Sequence, residues 1–209
     1  MSLKLPTIYP ITDTDLSGLS HAEQTARLIA GGATLIQLRD KYATPRAFYR
    51  EAIDALNIAR AHGVKLIIND RVDIAMAISA DGVHLGQTDL PVKSARQLLG
   101  EDAIIGFSTH NLDQLRRAVE LPVDYLALGP IFGTETKKNP DPLVGLSGLA
   151  EARSIIGDMP LVAIGGITSA TARLTLKTGA NSLATISGVA YPGQSIAENL
   201  GQLMELASA

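Results

Sequence analysis

Short runs of apolar and β-branched residues recur along the chain, each closed by polar residues or glycine, with longer amphipathic segments between them. Eight such runs stand out: Thr7 to Ile11, Thr34 to Leu38, Val64 to Ile68, Gly82 to Leu85, Ala103 to Phe107, Tyr125 to Leu128, Leu161 to Ile164 and Ser182 to Ile186. Strands alternating with helices at this spacing predict βα units around a parallel sheet. The helices carry start signals. Ser20 with Glu23 three residues on reads as a capping box, and Thr44-Pro45 places a cap before a proline at the first helical position. Gly31-Gly32 and Gly63 fall where a chain leaving a helix turns through the left-handed region. No Pro/Ser-rich linker divides the units, and residues 133 to 147 form the one long loop candidate. The pattern predicts an α/β fold, a single (β/α)8 TIM barrel spanning residues 1–209 as one domain, with its reactive groups at the C-terminal ends of the strands.

Composition narrows the picture further. With 46% hydrophobic residues in 209, the chain can bury one substantial core. Aromatic content of 4% and the absence of Trp mean that this core is built from Ala, Leu, Ile and Val. A net charge of −3, with Lys and Arg scattered, gives no basic field for nucleic acid or an anionic membrane surface, so small-molecule partners are expected. Without cysteine there are neither disulfides nor thiolate metal sites. The first residues lack the apolar run of a signal peptide, and no stretch approaches the ~20 apolar residues of a membrane span. The expectation is a soluble, cytoplasmic protein. Helix faces of a barrel do not announce a symmetric interface, which leaves a homo-oligomer open.

Candidate chemistry sits where the barrel would place it. After the second run, Gln37-Leu38-Arg39-Asp40-Lys41 puts an amide and two cations at one strand end; alternation sends Gln37 and Arg39 to the same side, and an Arg fork beside a Lys point charge makes an anion site. The competing reading is a solvated turn with Arg39 paired to Asp40. Asp70 and Asp89 follow the third and fourth runs. Both precede helices and would serve as N-caps; equally, two rim carboxylates without Cys or a His pair suit a hard cation such as Mg2+ that is completed by substrate phosphates. His84, inside a strand, reads as a hydrogen-bonded core histidine rather than a base, and His110 as a surface loop histidine.

After the fifth run, Ser108 or Thr109 could donate to a diphosphate, with Asn111 capping the next helix; no Gly-x-Ser-x-Gly elbow marks Ser108 as a nucleophile. The segment Gly129 to Lys138 offers hydroxyls and cations that could close over an anionic substrate. Gly165-Gly166 after the seventh run is either a phosphate-binding turn or merely a tight one, and Ile186-Ser187-Gly188 ends the eighth.

Taken in order, Tyr9-Pro10-Ile11-Thr12-Asp13, Gln37 to Lys41, Asn69-Asp70-Arg71, Asp81 to Gln87, Ser108-Thr109-His110, Gly129 to Lys137 and Ala163 to Ile167 resemble the thiamine-phosphate synthase family across nearly the whole chain. The resemblance implies a Mg2+-dependent transferase. It would join 4-amino-2-methyl-5-(diphosphooxymethyl)pyrimidine to 4-methyl-5-(2-phosphooxyethyl)thiazole, releasing diphosphate and thiamine phosphate. It implies that Gln37, Arg39, Asp40, Lys41, Asn69, Ser108 and Lys137 bind the pyrimidine diphosphate, with Arg39, Lys41, Ser108 and Lys137 acting on the departing charge. Thr134, Thr136, Gly166, Ile186 and Ser187 would bind the thiazole phosphate, and Asp70 and Asp89 the metal. Gly188 and Val189 depart from the Ala and Ile more often found after the serine in that family.

Three rivals remain in view. A thiazole tautomerase of the same fold typically has a histidine after the glycine that ends the sixth strand, where this chain has Pro130. A Schiff-base lyase needs a lysine desolvated in an apolar strand, whereas Lys41 and Lys137 lie among charges beyond strand ends. A non-catalytic phosphate-ligand sensor has no need of two rim aspartates.

Overall fold

The computed structural model describes residues 3–134, 141–190 and 195–208. Eight strands, β1 (Ile8–Thr12), β2 (Leu35–Leu38), β3 (Lys65–Asn69), β4 (Gly82–Leu85), β5 (Ile104–Thr109), β6 (Tyr125–Leu128), β7 (Leu161–Ile164) and β8 (Ser182–Thr185), pair in parallel and in sequence order into a closed barrel. The helices described are α1 (Thr14–Ser17), α2 (His21–Ala30), α3 (Pro45–Ala61), α4 (Val72–Ile78), α5 (Val92–Leu99), α6 (Leu112–Ala118), α7 (Gly145–Ile156), α8 (Ser169–Lys177) and α9 (Ile196–Ser208). Every expected strand is present. Most bounds move by a residue or less; β5 runs on to Thr109, which makes Ser108 a strand residue, and α7 begins at Gly145, inside the expected loop. Among the described residues no helix is long and apolar enough to cross a membrane.

Side-chain alternation divides the core in two. Ile36, Leu38, Leu66, Ile68, Val83, Leu85, Ile105, Leu126 and Leu183 point outward against the helix ring, in one continuous cluster with residues such as Leu28, Phe48, Leu56, Leu115 and Leu149. Tyr9, Ile11, Leu35, Ile67, Ile104, Tyr125, Ala127, Val162 and Ala184 fill the barrel interior.

The local signals act as read. Ser20 and Glu23 form the reciprocal capping box of α2, Thr44 caps α3 ahead of Pro45, and the Asn111 side chain accepts from the Gln114 N–H to cap α6. Gly32 and Gly63 take positive φ of 97° and 67°. Gly31 does not. Its φ is −83°, and glycine is needed there because a Cβ would lie 2.8 Å from the Ala197 carbonyl oxygen of α9.

At the N-terminal end of the barrel one device recurs. The residue before each of β4, β6 and β8 accepts a hydrogen bond from the first or second N–H of the preceding strand: Leu66 to Asp81 at 2.8 Å, Ile105 to Asp124 at 2.7 Å and Leu161 to Asn181 at 2.8 Å. Arg96 and Arg153, near the ends of α5 and α7, brace Asp124 and Asn181 and also bind loop carbonyls. Strand ends clamped at this face leave the opposite face free for chemistry.

Candidate active site

At the C-terminal face the strands and loops enclose a cavity of about 500 Å³. Its floor is the interior layer of Tyr9, Ile11, Ala127, Val162 and Ala184, and its rim is polar. The structure brings to this one cavity Gln37, Arg39, Lys41, Asn69, Asp70, Asp89, Ser108, Thr134, Gly166, Ile186 and Ser187, residues separated by up to 150 positions in sequence. Thr136 and Lys137 lie outside the described residues.

The β2 end is arranged differently from the competing reading. Arg39 pairs with Asp13, the N-cap of α1, at 2.9 Å rather than with Asp40. Asp40, expected on the pyrimidine diphosphate, is absent from the cavity lining. One of its oxygens accepts the N–H groups of Tyr42 and Ala43 at 2.9 and 2.8 Å, and the other lies 3.6 Å from the buried His21. Burial opposes ionisation of Asp40, but those N–H groups and His21 outweigh it and hold the carboxyl below its ordinary pKa. Asp40 therefore shapes the turn that presents Arg39 and Lys41.

Neither rim aspartate is a cap. The N-caps of α4 and α5 are Arg71 and Pro91, and neither makes a side-chain cap bond. Asp70 instead adopts φ 61°, a left-handed conformation that Asp tolerates better than most residues, and its carboxylate meets the Lys41 ammonium at 2.5 Å. Asp89 accepts the Gly86 N–H at 2.6 Å. Burial pushes the Asp89 pKa up; the Gly86 bond opposes this, and the adjoining Asp70 carboxyl raises it again. Two carboxylates held against each other make a place that a cation relieves, and Lys41 already supplies one positive charge there. Among the described residues no three His, Cys, Asp or Glu side chains form a cluster able to hold a metal. The pair thus fits a hard ion that takes its other oxygens from a ligand and water.

The floor holds an array the sequence did not disclose. The Gln37 amide donates to the Tyr9 hydroxyl at 3.1 Å, Tyr9 meets the Tyr125 hydroxyl at 3.0 Å across the barrel, Tyr125 meets His84 Nδ1 at 2.9 Å, and His84 Nε2 meets Ser108 Oγ at 2.8 Å. Gly106 makes this possible. In register it lies between His84 and Tyr125, and with no side chain of its own it lets their rings stack with centroids 5.5 Å apart. Burial raises the pKa of both phenols and lowers that of His84 to about 4, so the imidazole is neutral. The expected core histidine is thus present, with Ser108 as an added partner.

A stability prediction follows from that depressed pKa. Between the ordinary value of 6.5 and about 4 the unfolded chain binds a proton at His84 that the folded chain does not, so stability falls as pH falls through this window. From pH 6.5 to 5 the wild type should lose about 1.5 kcal/mol more than a His84→Gln variant in urea unfolding. Equal losses in the two proteins would contradict a buried neutral His84.

Gly165 and Gly166 have φ of 98° and 64°, and a Cβ on either would strike Pro130 or the Gly133 carbonyl within 2.7 Å. The pair is thus a turn that seats the loop after β6, and it also lines the cavity. Gly188 likewise donates its N–H to Thr185 Oγ1 at 3.1 Å, and an added Cβ would lie 2.5 Å from that oxygen, so alanine would displace Thr185. His110 is half-buried, with Nδ1 at 3.2 Å from the Gly129 carbonyl oxygen and 3.5 Å from Asp141, a residue far enough along the chain that no spacing rule links them.

Known proteins agree with this architecture. The chain is 45% identical to the thiamine-phosphate synthase of Chloroflexus aurantiacus over 183 residues, which cover 87% of this chain and 84% of the relative. It is 45% identical to that of Clostridium novyi, covering 87% and 89%. The thiamine phosphate pyrophosphorylase structure from Pyrococcus furiosus superposes with a TM-score of 0.87 at 33% identity, over 97% of this chain and 95% of the other. The sequence profile of thiamine monophosphate synthase matches residues 8–189, and the chain belongs to that family.

Proposed function

We propose that the chain is a thiamine-phosphate synthase, a cytoplasmic enzyme that joins 4-amino-2-methyl-5-(diphosphooxymethyl)pyrimidine to 4-methyl-5-(2-phosphooxyethyl)thiazole with release of diphosphate. The observation that carries this reading is the pairing of Asp70 and Asp89 beside Lys41 and Arg39, at the mouth of a cavity with an apolar floor. Such a site is charged for a diphosphate at its rim and apolar for flat heterocycles beneath.

The reaction makes a C–N bond from the thiazole nitrogen to the pyrimidine methylene as the C–O bond breaks and diphosphate departs with the electron pair. The aminopyrimidine ring can spread positive charge from that methylene, so the protein needs no nucleophile of its own. It needs to hold the reactants in line and to stabilise the leaving group. Gln37 and Asn69 face the heterocycle, Arg39 and Lys41 meet the diphosphate, and the Ser108 hydroxyl donates to it. Asp70 and Asp89 would hold Mg2+, which supplies further neutralisation of the departing charge when bound. Thr134, Gly166, Ile186 and Ser187 would seat the thiazole phosphate. Thr136, for the thiazole phosphate, and Lys137, for the diphosphate, complete the proposed set and lie outside the described residues. Lys41, paired with a carboxylate and nearly half exposed, is not set up as a Schiff-base lysine. Pro130, where a tautomerase-like histidine would stand, offers no proton shuttle.

The test is diphosphate release on mixing both substrates, with and without Mg2+, with the product weighed by mass spectrometry. Metal-dependent thiamine phosphate is expected, and Arg39→Ala should raise the KM for the pyrimidine diphosphate on the order of tenfold or more. Folded protein that releases no diphosphate from the pair would exclude the synthase.

A further inference from the structure

The five polar groups beneath the cavity form one unbranched chain whose two ends, Gln37 and Ser108, both line the cavity. Each hydroxyl in it has a single proton, and a neutral imidazole carries a single N–H. If the Tyr9 proton is spent within the chain, the direction of its first bond sets the direction of all. With the Gln37 nitrogen donating to Tyr9, the Tyr9 proton goes to Tyr125, the Tyr125 proton goes to His84 Nδ1, and His84 carries its hydrogen on Nε2 and donates to Ser108. Ser108 then keeps its own proton for the cavity. Turning the Gln37 amide over reverses every bond: Ser108 donates to His84 and offers the cavity only an acceptor.

We propose that this chain is a one-way relay through which the heterocycle bound at Gln37 sets the Ser108 hydroxyl as a donor to the leaving diphosphate, with Tyr9, Tyr125 and His84 as positioning residues. The inference rests on the assignment of the pyrimidine diphosphate to this cavity and deepens it. With the Gln37 nitrogen donating to Tyr9, the Gln37 carbonyl oxygen is the end left for the ligand, so a ring that presents an amino group there holds the relay in its donor state. A ring that presents a carbonyl favours the opposite amide orientation and turns Ser108 into an acceptor, facing diphosphate oxygens that are acceptors themselves. Discrimination between an aminopyrimidine and an oxopyrimidine would thus appear in the chemical step as well as in binding. The packing supports a dedicated arrangement. A Cβ at Gly106 would lie 2.0 Å from the Tyr125 ring and 2.5 Å from His84 Nδ1, so the contact between the two rings exists only because this position is glycine.

Two measurements test the relay. The first needs no variant: 15N chemical shifts of the His84 imidazole in the wild type should identify the Nε2–H tautomer, and an Nδ1–H tautomer would overturn the proposed direction. The second is a double-mutant cycle. Tyr9→Phe should lower kcat on the order of tenfold, with the thiazole phosphate KM unchanged, and should have no further effect on kcat in a Ser108→Ala background. A Tyr9→Phe loss that persists undiminished in that background would mean that Tyr9 acts on the fold and not through Ser108. Both outcomes are distinct from failure of the synthase reading, in which the wild type itself makes no thiamine phosphate.

Discussion

Asp70→Asn should reduce turnover on the order of 100-fold at saturating Mg2+, because it removes one of the two carboxylates proposed to hold the ion, and transition-state charge stabilisation of this kind is worth several kcal/mol. The substitution is a clean one. Asparagine tolerates the left-handed backbone that position 70 adopts at φ 61°, so the turn after β3 should survive. It also removes the negative charge that opposes ionisation of Asp89, and the folded protein should be no less stable than the wild type. Turnover measured across a Mg2+ titration checks the first expectation. Thermal midpoints with Mg2+ and diphosphate check the second: the wild type should be stabilised by the pair and the variant should not. A variant with unchanged kcat and unchanged metal dependence would remove Asp70 from the metal site.

The second large effect is expected at a glycine with no polar group to offer. Gly106→Ala should destabilise the protein by about 3 kcal/mol or more, since the new methyl must push apart Tyr125 and His84 and leave buried hydrogen-bonding groups unpartnered. Overpacking a rigid core alone costs ~1–3 kcal/mol, and each orphaned buried polar group adds ~1–3 kcal/mol. Gly201→Ala provides the contrast. It lies within α9, nothing stands within 4 Å of the added carbon, and alanine is the better helix former by about 1 kcal/mol. Urea unfolding of the two variants should therefore give shifts of opposite sign. Equal shifts would mean that the floor of the barrel can relax around position 106.

The difference between those two glycines shows what could be read along the chain and what could not. Strand existence was legible because the outward faces of the strands are largely apolar, and caps such as Ser20, Thr44 and Asn111 act within four residues of themselves. The rim of the site was legible for a related reason. A barrel delivers strand ends to one face, so polar residues that follow an apolar run are gathered there whatever their separation. Asp70 and Asp89 were ambiguous, because a residue just before a helix is both a natural cap and a rim position; only the side-chain directions resolved it. Asp40 sits among the expected site residues in sequence, yet its carboxylate turns back to its own loop and the residue is not among those lining the cavity, an orientation no local pattern announces.

The sequence by itself determined the alternation of strands and helices, the parallel closed barrel, the face that carries chemistry and the family. All of these follow from periodicity, local capping and ordered motifs. Tertiary structure alone decided the partners of the buried polar groups. Tyr9 and Tyr125 are 116 residues apart and meet at 3.0 Å only because β1 and β6 face each other across the closed barrel, and Tyr125 reaches His84 only across the bare Gly106. A hydrogen bond depends on angstroms in three dimensions and leaves no period in the sequence, so the relay beneath the cavity becomes visible only once the barrel has closed.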